Sequence, residues 1–424
     1  MNTPSPRPHA RRAPGRLIRD WLPIRRRALG ILAAGQWVST VGNALNGLAL
    51  GWLVLSVTDS RAALGLVSGL GDAVGLFMMV SGVWVDRWNR RRTMLAADVV
   101  RAAAALALGL LALAARASLA WIIGLVVVSR LAGTFFAPAS FALLPEMVDR
   151  EDLGAANGLL ATARTSAGLL GQLLGGVLLG LLGPAALFLC NAGSFAASSA
   201  SLAAIRPAGA LTPPPASGGL SGIWRDLVAG QHVIWRDPFL KRLVPISMAV
   251  GFFSVAITVL DVAWVRQILH AGPVVYGGFW VAAGLGGMVG SALSGRLVKR
   301  FPVIPLNVAS LVAIGLAVAA LALTPAAPFD LGCMVVMGFA LGVQSTSINT
   351  ALLRLVPEAT IGRSIGAIGA LANASGPVGA VAAGLAATAW PLGRVLWLSG
   401  VMVALTSLGL LGIRTPPASA GTPA

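Results

Sequence analysis

Few residues of this chain are equipped for chemistry, and most of them are charges set in apolar surroundings. The 424 residues include 14 acidic side chains, 31 Lys or Arg and three histidines, His9, His232 and His270. Asp72, in SGLGDAVGL, and Arg130, in VVVSRLAGTFF, each lie deep inside an apolar run. An Arg at the centre of a membrane helix costs ~2.5–3.5 kcal/mol on insertion scales, so it needs a partner or a wet cavity. A buried carboxylate sheds its charge by taking up a proton. An Asp72/Arg130 pair therefore suits proton exchange, and a purely structural ion pair equally. Asp98 and Arg101 stand three positions apart, a spacing that pairs side chains on one helix face and suggests a structural role. Arg164, in ATARTSAGLL, is placed to meet either an acid or an anionic substrate. A last cluster, SGVWVDRWNRRRTM at 81–94, sets Asp86 among arginines between two apolar runs.

Other chemistries find no support. The only lysines, Lys241 and Lys299, do not follow a Gly-rich phosphate loop, so ATP hydrolysis by the chain itself is not expected. Nothing resembles a nucleophile triad or a paired-carboxylate hydrolase. Cys190 and Cys333 both sit in apolar segments and read as small core residues, not a disulfide. No histidine falls mid-membrane, so neither a metal site nor any other cofactor is expected, and an ion gradient is the expected energy source.

The elements that must position these groups follow from composition. The chain is 57% hydrophobic and 11% charged, with mean hydropathy +0.84. A soluble domain carries about 25% charged residues, so the solvent for most of this chain is lipid. Its 52 glycines fit close helix approach in a bilayer. Twelve runs are long enough to span: 28–56, 63–85, 93–115, 119–141, 154–182, 185–205, 241–265, 274–295, 303–324, 329–352, 363–389 and 392–412, the first and fifth long enough to tilt or break. The fold class expected is all-α and integral to the membrane, with a tail at 1–27, a six-helix bundle at 28–205, a linker at 206–240, a second six-helix bundle at 241–412 and a tail at 413–424. Within the linker, Leu220, Ile223, Trp224, Leu227 and Val228 share one helical face and suggest an amphipathic helix on the membrane surface, with a plain soluble linker as the alternative. The N-terminal stretch MNTPSPRPHARRAPGR lacks a cleavage site after a short apolar core and reads as a cytoplasmic tail.

Orientation follows from the basic residues. With both tails and the linker on one side, only Arg61, Arg116, Arg266 and Arg394 fall on the opposite side. Arg101, Arg130 and Arg164 lie inside spans. That asymmetry puts both termini in the cytoplasm of a cell-membrane protein, and it accounts for the net charge of +17 without nucleic acid.

Two internal echoes suggest a duplication. SGVWVDR closes the second run of the first half and SGRLVKR, 294–300, closes the second run of the second half. GQLLGG, 171–176, has a counterpart in GPVGA, 376–380. Duplicated halves of this kind place a substrate site between them near the midplane. Polar stripes mark the faces expected to line it: Gln36, Thr40, Asn43 and Asn46 in the first run, Ser254, Thr258 and Asp261 in the seventh, Gln344 and Ser347 in the tenth. Gluing lipid-buried helices together is the other use of such residues.

Over nearly its whole length the chain resembles the twelve-helix transporters of the major facilitator superfamily. GVWVDRWNRRR, 82–92, is similar to that family's loop signature, with Gly82, Asp86, Arg87, Arg90 and Arg91 on signature positions, while Trp84 and Asn89 depart from it. The resemblance implies that this loop latches the halves together in the outward-open state; anchoring topology is the simpler role for Arg91. It also implies proton coupling for Arg130, although the Gln usual before Gly133 is absent. Gly171, Gly175, Gly176, Gly376 and Pro377 resemble the Gly/Pro helix-packing motif of the family's exporters, with Gln172 where Pro is usual. DRWNRRRTMLAADVVRA and FFAPASFALLPEMVDREDLGAANGLL are similar to the macrolide-efflux and enterobactin-exporter-like branch. The expectation is a monomeric transporter, not an enzyme, that exports small, largely apolar molecules (drug, macrolide or siderophore-like) by proton antiport and alternating access. An importer or facilitator, and a non-transporting membrane scaffold or sensor, are the alternatives.

Overall fold

The computed structural model describes residues 24–85, 88–148, 150–205, 238–355 and 361–412. Among them there is no strand. With almost no water to satisfy backbone N–H and C=O groups in a bilayer, helices that close their own hydrogen bonds are the natural answer.

The passes are α1 (Ile24–Thr58), α2 (Arg61–Gly75, resuming after a turn as Met78–Val85), α3 (Arg90–Leu113) and α4 (Leu119–Met147). One continuous stretch, Leu153–Ala204, supplies two more, α5 (153–182) and α6 (184–204). The second half contributes α7 (Pro238–Ala263, extended by a π turn at Trp264–Ile268), α8 (Pro273–Arg300), α9 (Val303–Leu323), α10 (Ala327–Leu355), α11 (Ile361–Ala389) and α12 (Leu392–Leu408). Helix starts carry the chemistry that satisfies free N–H groups. Ser60, Asn89 and Ser118 each accept a backbone N–H at the starts of α2, α3 and α4.

The hinge between α5 and α6 is Gly183, at φ 74°, followed by Pro184. Only glycine adopts that conformation cheaply, and Pro184 lacks the N–H to continue the helix. Contacts with α1 show that the chain reverses there. Going along α1, Val41 and Leu48 meet Gly171 and then Gly175 of α5, whereas Gly35 and Gly42 meet Ser201 and then Ser194 of α6. One arm therefore runs with α1 and the other against it.

Of the first and fifth passes, long enough to tilt or break, α1 is unbroken over 35 residues; among the described residues the interruptions include the turn at Leu76–Phe77 and the π turn of α7. The first helix is described from Ile24. The amphipathic linker helix, and Asp86 and Arg87 of the loop signature, lie outside the described residues.

The helices form two bundles. The short links at 59–60, 114–118, 183, 269–272, 324–326 and 390–391 mark one end of the molecule, called the far end below; the described chain ends lie at the other. Between bundles, α2 packs on α11 and α5 on α8. Each crossing is built on a glycine pair. A Cβ on Gly65 would lie 2.8 Å from Gly384 Cα, and a Cβ on Gly176 would lie 2.8 Å from Gly277 Cα. Bare backbones approach this closely only without side chains.

Candidate functional site

Where the halves meet at the far end, residues of both close a gate. The π turn of α7 builds its C-terminal side, and such turns often mark functional sites because one extra residue re-aims the side chains. Gln267 accepts from Arg61 Nε at 2.8 Å, and its amide donates to Asp59 Oδ1 at 3.4 Å. Arg61 also donates to the Ala387 carbonyl at 3.0 Å, at the end of α11. Arg266 lies 5.5 Å over the ring of Trp52, which in turn stands 6.3 Å from the Tyr276 ring. The base of the turn is fixed within its own half: Trp264, 1% exposed, donates its indole N–H to Asp330 at 2.8 Å. Arg61 and Arg266 do sit on the side that the charge count left poor in basic residues. Exceptions to that rule were the available signal, and sequence reasoning passed over it.

Below the gate two cavities adjoin at Gly47. The larger, about 460 Å³, opens within the N-terminal half and is lined by Asn43, Asn46, Asn191, Ser129, Arg101 and Arg130 among others. The smaller, about 270 Å³, lies between the halves against Leu48, Gln172, Thr258, Tyr276 and Trp280. The chamber thus has a polar, cationic wall on one side and a largely apolar, aromatic wall on the other.

Arg101 was expected in a structural pair only, and here it does more. It holds the fully buried Asp98 at 3.4 Å, donates to Asn43 Oδ1 at 3.1 Å and lies 4.0 Å over the face of Phe195. Arg130 is exposed to the cavity, its Nε 3.6 Å from where a Gly71 Cβ would sit. Among the described residues no ion pair within 4 Å joins it to Asp72.

The other expected residues divide. Asn43, Asn46 and Thr258 line the cavities, and Thr40 and Ser254 are half-buried on the same helices. Gln36 does not line them. It is buried and binds Ser140 of α4 at 2.7 Å and Arg164 of α5 at 3.1 Å, tying three helices together. Among the described residues Arg164 has no acidic partner and lines neither of these two cavities; it donates to an amide, with the Phe141 ring 5.4 Å away. Ser347 is likewise buried, against Asn307 of α9 at 3.4 Å, while Gln344 is half-buried one turn earlier. Asp261 is 1% exposed, on α7 beside Trp280 of α8.

Among the glycines, Gly171 packs on Val41 and Ala44 of α1, Gly175 on Leu48, and Gly176 makes the crossing with α8. Gly376 has open space where a Cβ would go. The matching approaches on α11 are Gly379, against Phe252 of α7, and Gly384, against Gly65; Pro377 contributes its carbonyl against Gly69. The sequence echo had the right helices and the wrong register, because several glycines per helix permit more than one alignment.

In the loop signature, Arg90 donates to the Ala142 carbonyl at 3.0 Å, and Arg91 donates to the carbonyls of Leu202 and Ala203 at 2.8 and 2.6 Å. A cation on the last carbonyls of α6 satisfies orphan acceptors and the helix dipole together. Gly82 faces open space.

Comparison with known proteins agrees with this architecture. The chain is 27% identical over 404 residues to the multidrug efflux pump Tap of Mycolicibacterium fortuitum, covering 89% of this chain and 95% of that one. It is 28% identical over 399 residues to the enterobactin exporter EntS of Citrobacter koseri, covering 90% and 92%. Among solved structures, the nucleoside transporter NupG superposes with TM-score 0.73 at 11% identity, over 91% of this chain and 100% of that one. A bacterial homologue of ferroportin superposes with TM-score 0.67 at 18% identity, over 91% and 98%. The Major Facilitator Superfamily profile matches residues 32–380. This multi-pass membrane protein belongs to the Major Facilitator Superfamily and is a transporter.

Proposed function

We propose that the chain exports small, largely apolar molecules across the cell membrane by proton antiport and alternating access. The observation that carries this reading is the pair of adjoining cavities, one between the halves against Leu48, Tyr276 and Trp280, the other within the N-terminal half against Arg101, Arg130 and three asparagines. Aromatic and aliphatic walls take up apolar cargo through buried area, and a few polar groups orient it. Multidrug efflux and enterobactin export by the two relatives named above support the direction and the cargo class. With both termini cytoplasmic in this scheme, the far end faces outward, and its contacts between the halves fit a state closed on that side.

Asp72 binds and releases the coupling proton in this scheme, with Arg130 on the adjoining α4. Asp86, Arg87, Arg90 and Arg91 form the latch that closes the opposite end in the outward-open state. The chain works as a monomer.

Proteoliposome flux with an imposed pH gradient tests the reading. An antiporter accumulates substrate against its gradient only while the proton gradient lasts. A facilitator equilibrates substrate regardless, and a scaffold or sensor binds without flux; either result overturns the proposal.

A further inference from the structure

The scheme above carries its proton on a single carboxylate of the N-terminal half, Asp72. The C-terminal half holds a second, in a stranger place. Asp261 of α7 is 1% exposed. Its Oδ1 accepts the Val262 N–H at 2.6 Å, and its Oδ2 has no hydrogen-bond partner. No ion pair reaches it among the described residues. Its surroundings come from both halves. Tyr276 and Trp280 of α8 lie beside it. Across the interface, Gly51 of α1 covers the same spot: a Cβ there would be 3.2 Å from the Tyr276 hydroxyl and 3.4 Å from Val262.

From α8 the titratable group beside it is the Tyr276 hydroxyl; Arg296, Lys299 and Arg300 lie at the opposite end of that helix, and His270, just past the π turn, is exposed. On its own helix Arg266 turns to Trp52, and its Nη1 is also buried without a partner. Asp330 of α10 is held by Trp264. Arg61 and Asp59 of the N-terminal half are engaged with Gln267. Arg394 begins α12, and the described side chains of α11 carry no titratable group. A carboxyl that has lost water and found no cation is held most cheaply with a proton on it. Gly51 of α1, which packs on Tyr276 and Val262 beside the carboxyl, belongs to the other half.

We propose that Asp261 is a proton-binding residue whose protonated form holds the far end shut. Separation of α1 from α7 and α8 admits water to the carboxyl and lets the proton leave. Conversely, ionising Asp261 in the shut state buries an unpaired charge and drives the gate open. Low pH therefore favours the shut far end and high pH the open one. The proposal rests on the proton-antiport reading for its role in transport, but the conformational linkage stands apart from it.

The test uses the full chain in lipid nanodiscs, with Cys190 and Cys333 replaced by Ser and spin labels on S118C and T324C. These two exposed far-end positions belong to opposite halves. In the parent protein the inter-label distance should lengthen as pH rises. D261N should keep the short distance at every pH, while D59N should still titrate. D261E, which retains a carboxyl, should titrate with a displaced midpoint. Infrared spectra at low pH should lose one protonated-carboxyl C=O band in D261N. D261N that titrates like the parent overturns the proposal. So does a D261N that fails to fold and is restored by adding R266Q, because Asp261 would then be half of a structural pair. If the parent shows the pH-dependent distance but no gradient-driven flux, the antiport reading falls and the assignment of Asp261 stands.

Discussion

The guanidinium of Arg61 donates to Gln267 at 2.8 Å across the interface between the halves, 206 positions away in sequence. With its second bond to the Ala387 carbonyl, this one side chain straps α2 to the ends of α7 and α11. Arg61→Ala removes both bonds and leaves the Ala387 carbonyl to find water. Hydrogen bonds to charged groups contribute ~1.5–3 kcal/mol when buried. Arg61 is only half-buried, so we expect about 1–2 kcal/mol, a 5–30-fold shift toward the far-open state. The distance between labels at 118 and 324 reads this directly. An unchanged distribution would mean that the strap is incidental.

The glycine crossings make a steric prediction. Gly176→Leu and Gly384→Leu each place a side chain where the opposing helix backbone passes. Overpacking of this kind costs ~1–3 kcal/mol, here charged only to the state in which the far end is closed. Each variant should fold, favour the far-open state and lose flux. Gly376→Ala, whose Cβ meets nothing within 4 Å, should match the parent in the same flux assay.

Asp98 is fully buried and Arg101 is its one ion-pair partner within 4 Å among the described residues. Removing one member of a buried pair costs ~3–5 kcal/mol, because the survivor keeps its charge without compensation. Arg101→Met should therefore lower the melting temperature and the yield of folded protein. Adding Asp98→Asn to it should restore most of the loss. A double variant as unstable as the single one would place the cost in the Asn43 and Phe195 contacts instead.

Among the described residues Arg130 has no ion pair within 4 Å, and it faces the cavity, so its loss should spare the fold. Arg130→Gln is expected to melt like the parent and to lose proton-driven flux. Asp72→Asn, which mimics the protonated acid permanently, should still pass substrate down its own gradient. It should no longer respond to an imposed pH gradient. Full proton dependence in Asp72→Asn would remove it from the coupling scheme.

Arg164→Met separates a structural from a substrate role. Its partner is the Gln36 amide, itself bonded to Ser140, so three helices of one half lose a tie. Reduced thermal stability with an unaltered substrate profile is the expected result, and a changed profile with normal melting would assign Arg164 to cargo.

The sequence by itself determined the class of the protein and the number of its passes. Long apolar runs have one stable form in lipid, and their ends are set by short punctuation such as Ser60, Gly183–Pro184 and Asn89 that acts within a few residues. The loop signature and the charge asymmetry are similarly local, so they can be read along the chain. What only the tertiary structure decided was which polar residue meets which. Helical periodicity put Gln36, Thr40, Asn43 and Asn46 on one face, but that face turns gradually along α1. Its Gln36 end is buried against α4 and α5, and its Asn43 and Asn46 end lines the cavity. Arg61 and Gln267, Trp52 and Arg266, and Gly65 and Gly384 lie far apart in sequence. The packing of two separate bundles brings each pair together, and no pattern within one helix encodes such a meeting.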